Sequence, residues 1–252
     1  MRIVCFSVLV FWWKEMRFML RLNIGKALVL ILLSSCVSQE GLNDQFADDP
    51  IEPVNRLVFS VNDVIDTVLL QPTAYAYKKV IPAPIREVVY NFLDWLSSPV
   101  YIVNSALQGD FKGLKHNTAR FVANAPMFGL VDNATGLGLK RRPEDFGQTL
   151  AVWGVYDGPY LVLPLLGPSN LRDTSGLLAD YFMDPTKHIR IYDGKQIRFQ
   201  VARHVGEAID FRARNYQQIK NIKDTSIDYY ARVRTIYKQR RNFLIKNNPS
   251  SF

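Results

Sequence analysis

From Asn55 onward the apolar positions recur at three- and four-residue steps. Leu57, Val58, Val61, Val64, Ile65, Val68 and Leu69 form one stripe, bounded by Pro53 and Pro72, and this period predicts an amphipathic helix. Two further short helices are predicted at 84–96 and 98–107, punctuated by Pro82, Pro84 and Pro99, and another at 113–123. Between 124 and 143 glycines crowd in, predicting loops with one short helix. The stretch Thr149–Pro164 holds two apolar runs around Gly154-Val155-Tyr156-Asp157-Gly158-Pro159. It predicts a hairpin-like excursion with its turn at Asp157-Gly158, although Pro159 argues against a regular two-residue hairpin. From about 198 to 244 a basic helical region follows, expected to break near Asp224, with Thr225 and Asp228 offering a capping box. No internal repeat or coiled-coil heptad is visible. The pattern is that of a mostly α chain.

Ahead of this body the pattern changes. Arg17, Arg21 and Lys26 precede a short apolar run, Ala27–Leu32, and then Leu33-Ser34-Ser35-Cys36. A basic segment, an apolar run and small residues describe a signal peptide. A Leu, two small residues and a Cys in this order match a bacterial lipoprotein signal, which would make Cys36 the lipidated first residue of the mature chain. A plain signal peptide or an N-terminal anchor with a chance cysteine is the alternative, but the run is short for a spanning helix. A second apolar stretch, Ile3–Trp13, is also too short, and a start at Met16 or Met19 would remove it. The expected division is therefore 1–35 signal peptide, 36–48 flexible polar tether, 49–245 a single domain and 246–252 a tail.

Composition narrows the class. The chain has 252 residues and is 48% hydrophobic, which fits a folded domain with a sizeable core. The net charge is +8, of which the leader carries +4. Cys5 and Cys36 both lie outside the body, so neither a disulfide nor a cysteine metal site is available there.

A series of ordered motifs then resembles the MlaA/VacJ lipoprotein family. Asp49-Pro50-Ile51-Glu52-Pro53-Val54-Asn55-Arg56 is similar to its opening signature. The likeness continues through Asn104–Asp110, Arg120–Asn124, Glu144–Leu150, Trp153–Pro164 and Gly167-Pro168-Ser169 to Arg172-Asp173, and closes at Asp228–Arg241. The resemblance implies a ring of short amphipathic helices around a polar channel, seated in the inner leaflet of a Gram-negative outer membrane. It implies removal of mislocalised phospholipid from the outer leaflet, delivery to a soluble periplasmic lipid carrier and association with a trimeric porin. No cofactor is implied. Val37, rather than aspartate, follows the cysteine, which agrees with outer-membrane sorting. The resemblance also places Gly154, Val155, Tyr156, Asp157 and Gly158 in a hairpin-like loop beside the channel. Tyr156-Asp157 depart from the small residues usual at its tip.

Physical chemistry admits such a role. A phospholipid head group needs a path that hides its charge from hydrocarbon, and helices too short to cross suit one leaflet. From amphipathicity alone, however, 55–71 and 84–107 read as ordinary core-facing helices. Asn55, Arg56, Arg172 and Asp173 could line the channel or hold helices together, and are read as fold signatures first. Arg172 and Asp173, as sequence neighbours, are expected to pair with other elements rather than with each other.

The C-terminal basics, among them Arg203, Arg212, Arg214, Lys223, Arg234 and Arg241, are interleaved with tyrosines. Export makes nucleic acid an unsuitable partner, leaving anionic lipid, a docking partner or a solvated face. Catalysis has one weak motif, His188-x4-Asp193, with acyltransferase spacing. There is no Gly-x-Ser-x-Gly elbow, and His116, His188 and His204 lack metal-ligand spacing. The expectation is a non-enzymatic lipid-transport lipoprotein, with a purely structural envelope lipoprotein as the alternative.

Overall fold

The computed structural model describes residues 49–187 and 195–246, within one compact unit spanning Asp44–Phe252. The signal peptide, Cys36, the tether, the His188-x4-Asp193 motif and the tail beyond Lys246 lie outside the described residues. The architecture is a mostly α single domain with one two-stranded sheet, matching the expected fold class.

Helix α1 (Glu52–Ile65) opens with Glu52 and Pro53 in its first turn, where a carboxylate meets the positive dipole end and a missing N–H costs nothing. The chain does not stop at Pro72. One π-type turn, Asp66–Leu70, passes directly into α2 (Gln71–Val80), with Pro72 in the first turn of the new segment. The widened turn resets the hydrogen-bond register, so the proline interrupts no established ladder.

The two helices expected at 84–96 and 98–107 are one. Helix α3 (Ala83–Leu107) runs for 25 residues with Pro99 inside it. An interior proline costs about 3 kcal/mol, and here two features offset it. The carbonyl left without its donor is that of Trp95. One offset is tertiary: α3 packs along α4 (Phe111–Asn124), where Trp95 stacks on Phe121 and donates to its carbonyl at 3.2 Å. The other is the length of ordered helix on both sides of the proline. Helix α4 is capped by Asp110, which accepts from Gly113 N at 2.9 Å. A 3-10 turn at Ala125–Met127 and the single-turn α5 (Asn133–Gly136) fill the glycine-rich stretch as expected.

The hairpin lies further along than the sequence suggests. Thr149–Val152 belong to α6 (Phe146–Val152), not to a strand. Gly154 ends that helix at φ 84°, with Gly154 N donating to Ala151 O (3.0 Å) and Val155 N to Leu150 O (2.9 Å). This is a Schellman cap, which wants glycine because the left-handed backbone carries no Cβ penalty there. Gly154–Gly158 is therefore a helix-to-strand connection. The paired hairpin is β1 (Tyr160–Leu163) against β2 (Gly167–Asn170), antiparallel, with Tyr160 opposite Asn170 and Leu163 opposite Gly167. Its tip carries Leu165 and Leu166.

Asn170 caps α7 (Leu171–Met183), accepting from Asp173 N at 2.7 Å. The basic region forms α8 (Lys195–Arg214), α9 (Tyr216–Thr225) and α10 (Tyr229–Ile245). It breaks twice, and Asp228 itself caps α10 by accepting from Ala231 N at 3.0 Å. Thr225 is no part of that cap: it closes α9, donating its hydroxyl to Asn221 O at 2.7 Å.

Candidate functional site

The polarity of the fold runs opposite to that of a water-soluble domain. On α1 and the π turn after it, Asn55 is 2% exposed while Leu57, Val64 and Val68 are 66%, 60% and 72% exposed. Most of the predicted apolar stripe, Leu57, Val61, Val64, Val68 and Leu69, therefore faces outward, with Val58 turned to the core. The exposed apolar set continues over Phe111, Val122, Phe128, Leu165, Leu166 and Phe182. Buried apolar side chains are few among the described residues, centred on Tyr160, Val162 and Tyr230 with Val58, Phe59 and Tyr237 packed against them. Around them the interior is amides, carboxylates and guanidiniums. Apolar surface on this scale marks a membrane or protein interface. No helix among the described residues is long and apolar enough to cross a membrane.

The opening motif bolts α1 to the hairpin and to α10. Asn55 Nδ2 donates to Tyr160 O (2.9 Å) and Asp49 Oδ1 (2.7 Å), while its Oδ1 accepts from Val162 N (2.9 Å). Two turns on, Asn62 repeats the device, donating to Leu163 O (2.9 Å) and accepting from Leu165 N (2.8 Å). The two amides stand in for a neighbouring strand along the open edge of β1. Asp49 also accepts from Arg234 Nη1 (2.9 Å) and from the Tyr230 hydroxyl. Arg56 reaches Asp228 (2.6 Å) and Glu52 (2.6 Å), and hydrogen bonding from Arg56 holds the Asp228 carboxyl below its usual range. Pro50 lies in the turn leading into α1.

A second network joins α6, α7 and α10. Arg241 forks onto Asp145 through Nη1 (2.5 Å) and Nη2 (2.6 Å), and Nη2 also donates to Asp173 Oδ1 (3.0 Å). Its Nε lies 2.7 Å from Asp173 Oδ2, an ion-pair contact without hydrogen-bond alignment. Burial pushes the Asp145 carboxyl up, but the Arg241 fork outweighs it and the net shift is downward. Asp173 further accepts from the Tyr237 hydroxyl (2.5 Å) and Asn170 Nδ2 (3.0 Å). Contrary to the expectation for sequence neighbours, Arg172 Nε also donates to Asp173 Oδ1 at 3.0 Å. Both side chains turn into the same buried junction, so the usual splay of adjacent helical residues does not hold. Gly147 leaves room for the Arg241 guanidinium and the Asp173 carboxylate, which a Cβ there would displace, and Gly176 lets α7 lie directly on the Gly147 backbone of α6, where a Cβ would clash.

Beside this junction is a cavity of about 260 Å³, walled by Asp157, Gly158, Tyr160, Arg172, Lys238 and Arg241 among others. It gathers Asp157 and Gly158 from the connection after α6, Arg172 from the start of α7, and Lys238 and Arg241 from the closing motif on α10. Gly154, Val155, Tyr156 and the opening-motif residues are not in its wall. Tyr160 lies within the Trp153–Pro164 motif and Lys238 among the C-terminal basics of the Asp228–Arg241 motif, but nothing in the sequence places the two at one site. The Tyr160 hydroxyl is buried and finds no hydrogen-bond partner among the described residues, and burial near Asp49 raises its pKa. The wall offers ion pairing of both signs and no thiol or imidazole. Among the described residues no cluster of three metal-ligating side chains occurs.

Several C-terminal basics are tied to acids of other turns or helices, Arg203 and Arg212 buried and Arg214 and Lys223 half-buried, rather than forming a freely solvated face. Arg203 pairs with Asp184 (2.6 Å), Arg212 with Asp66 (2.8 Å), Arg214 with Asp210 (2.6 Å) and Lys223 with Asp63 (2.6 Å).

A family model described as MlaA lipoprotein matches residues 47–244. The chain belongs to the MlaA lipoprotein family. It is 34% identical over 225 residues to the intermembrane phospholipid transport system lipoprotein MlaA of Escherichia coli, covering 86% of each chain. An uncharacterized protein of Rickettsia prowazekii is 37% identical over 140 residues, and there the match spans only about half of each protein, 54% of this chain and 56% of the relative. The fold is similar, at a TM-score of 0.67 and 33% identity, to a solved structure described as the structural basis for maintenance of bacterial outer membrane lipid asymmetry. That match covers 79% of this chain and 99% of the other. The matched stretch takes in every element that the two networks knit together, α1, β1, α6, α7 and most of α10.

Proposed function

We propose that this protein is an outer-membrane lipoprotein of a phospholipid transport system, one that removes mislocalised phospholipid from the outer leaflet and so maintains lipid asymmetry. The observation that carries this reading is the reversed polarity: apolar side chains outward, a charged and amide-rich interior inward. Membership of the MlaA family supplies its biological frame. The outward apolar surface seats the domain at the depth of the periplasmic leaflet, and diacylation of Cys36 tethers it there. The polar interior lowers the barrier for a head group, whose charge costs several kcal/mol or more in hydrocarbon. Movement is passive conduction with no covalent step. A periplasmic carrier accepts the lipid, and a trimeric porin fixes the protein beside the outer leaflet. Gly154–Gly158 is the loop that moves beside the path.

The test is metabolic labelling with a radioactive fatty acid in wild type and Cys36→Ala, followed by membrane fractionation. Label on wild type alone, in the outer membrane, supports the anchor and the location. An unlabelled protein in the soluble or inner-membrane fraction overturns both.

A further inference from the structure

Helix α4 and the chain returning from it form an antiparallel excursion zipped by polar contacts. Asn124 Oδ1 accepts from Ala134 N (3.0 Å), Asn133 Nδ2 donates to Ala123 O (3.2 Å) and Arg120 Nη1 donates to Thr135 Oγ1 (3.2 Å). Arg120 also pairs with Asp132 (3.1 Å) and donates to Leu139 O. Last in the series, the His116 ring meets Lys140 O at 2.6 Å. Entry and exit therefore lie side by side at a base, and the turn at 125–131 forms the apex.

Base and apex differ in chemistry. Between Asn117 and Leu139 the only charged residues are Arg120 and Asp132, and they pair with each other inside the excursion. Val122, Met127, Phe128, Val131 and Leu137 are exposed on its outside. Phe128 stands at the apex with φ 50°, a conformation rare for a bulky residue. At the base, Lys112, Lys115 and Lys140 are exposed. Trp153 is exposed near them, donating Nε1 to the carbonyl of Leu107, the last residue of α3, at 3.0 Å. Cations and a tryptophan at one end and uncharged apolar side chains at the other follow the layers met on entering a leaflet, phosphate first and hydrocarbon beyond. The length agrees. From Lys115 to Asn124 the axis of α4 rises about 14 Å at 1.5 Å per residue, against about 15 Å for half of a hydrocarbon core.

We infer that residues 117–139 enter the hydrocarbon of the periplasmic leaflet as a wedge, apex toward the bilayer midplane, while Lys112, Lys115 and Lys140 hold the phosphates of anionic phospholipid at its base. The inference rests on the membrane seat proposed above and gives it an orientation and a lipid contact. The inward polar zip lets the wedge enter: its backbone turns and both charges are satisfied within the protein, so little polar surface is carried into hydrocarbon.

Lipidated protein carrying Cys5→Ser and either Met127→Cys or Lys112→Cys is nitroxide-labelled and reconstituted in phosphatidylcholine vesicles containing phosphatidylglycerol, with the protein lacking an introduced cysteine as the blank. Electron paramagnetic resonance then compares collisions with oxygen, which concentrates in hydrocarbon, and with a water-soluble nickel chelate. The label at 127 should lie about 14 Å deeper than the label at 112. In a second arm, the protein is offered mixed micelles of equimolar phosphatidylglycerol and phosphatidylcholine, and its lipid adducts are counted by native mass spectrometry. Wild type should retain phosphatidylglycerol in about fivefold excess, and Lys112→Gln with Lys115→Gln and Lys140→Gln should bring the ratio near one. A label at 127 open to the nickel chelate on vesicle-bound protein overturns the wedge and leaves the transport reading standing. A label there closed to both probes means that a protein covers the apex, and overturns it equally. A lipid ratio indifferent to the three lysines, in a variant with unchanged circular dichroism, overturns the phosphate contact. Lipidated protein that does not stay on vesicles overturns the membrane seat and the wedge together.

Discussion

Asn55 is the residue on which most of the opening motif turns. Its one amide joins Asp49, Tyr160 and Val162, and replacing it with leucine keeps the branched shape at slightly larger volume while removing the donor to Asp49 and stranding a buried N–H and a buried carbonyl. Asn55→Leu should therefore cost about 2–4 kcal/mol, read as a lowered melting temperature in detergent, and a variant melting with wild type would show the amide to be dispensable. Asp180 carries a different consequence. Burial raises its carboxyl to about 6, against the hydrogen bonds from Phe146 N and Asn104. The folded chain then holds, between about pH 4 and 6, a proton that the unfolded chain has released. Its contribution to stability falls as pH rises through that window. Asp180→Asn keeps an acceptor for Phe146 N and removes the ionisation. The melting temperature of the variant relative to wild type should climb between pH 4 and 6 and then level off; a constant difference would refute the shift. Motif residues such as Asn55 and Asp173 were legible in the sequence as fold signatures. Their partners were not, because Tyr160 and Arg241 are brought to them only by the topology, and Lys238 is one lysine among many until the cavity forms.

At the level of elements, helical periodicity located α1 and α4 but misjudged punctuation. Pro99 is tolerated because α3 is long on both sides of it and is held against α4 one turn earlier, where Trp95 stacks on Phe121. The hairpin was displaced because an apolar run of four to seven residues serves a strand and a short buried helix equally well. The Asp145 cap and the Gly154 Schellman turn decide for helix, and both need three-dimensional hydrogen bonds to be recognised. Gly154 also gives the loop proposal its cleanest test. A Cβ there meets nothing within 4 Å, yet φ is 84°, so Gly154→Val costs backbone strain of roughly 1–2 kcal/mol without a clash. The variant should fold and reach the membrane but change outer-leaflet phospholipid content. Wild-type permeability to detergents and wild-type lipid content in a well-localised variant would sink the idea that this connection moves during transport.

For the whole molecule, the decisive fact is which face of each amphipathic helix meets the surroundings. A periodic stripe fixes that Leu57, Val61, Val64 and Val68 share a face, but it carries no information on whether that face meets a core or a lipid tail. Asn55, Asn62, Asp63 and Asp66, interleaved with them on α1 and its π turn, settle the matter by pairing inward with β1, the hairpin tip, Lys223 and Arg212. If the outward face lies in hydrocarbon, each valine on it contributes roughly 1–2 kcal/mol of transfer free energy. Exchanging three of them for glutamine should then weaken membrane association by about 3–5 kcal/mol while leaving the fold, held by the inward polar network, nearly unchanged. The lipid anchor would mask this effect, so the comparison belongs in a Cys36→Ala background. Vesicle flotation of Cys36→Ala against Cys36→Ala carrying Val61→Gln, Val64→Gln and Val68→Gln separates the two contributions. Loss of flotation with an unchanged melting temperature in detergent places α1 in the bilayer. Equal flotation of the two proteins would mean that the outward stripe meets a protein partner instead, and the seat of the domain in the leaflet would have to rest on other apolar elements, with Phe128, Leu165 and Leu166 the next to exchange.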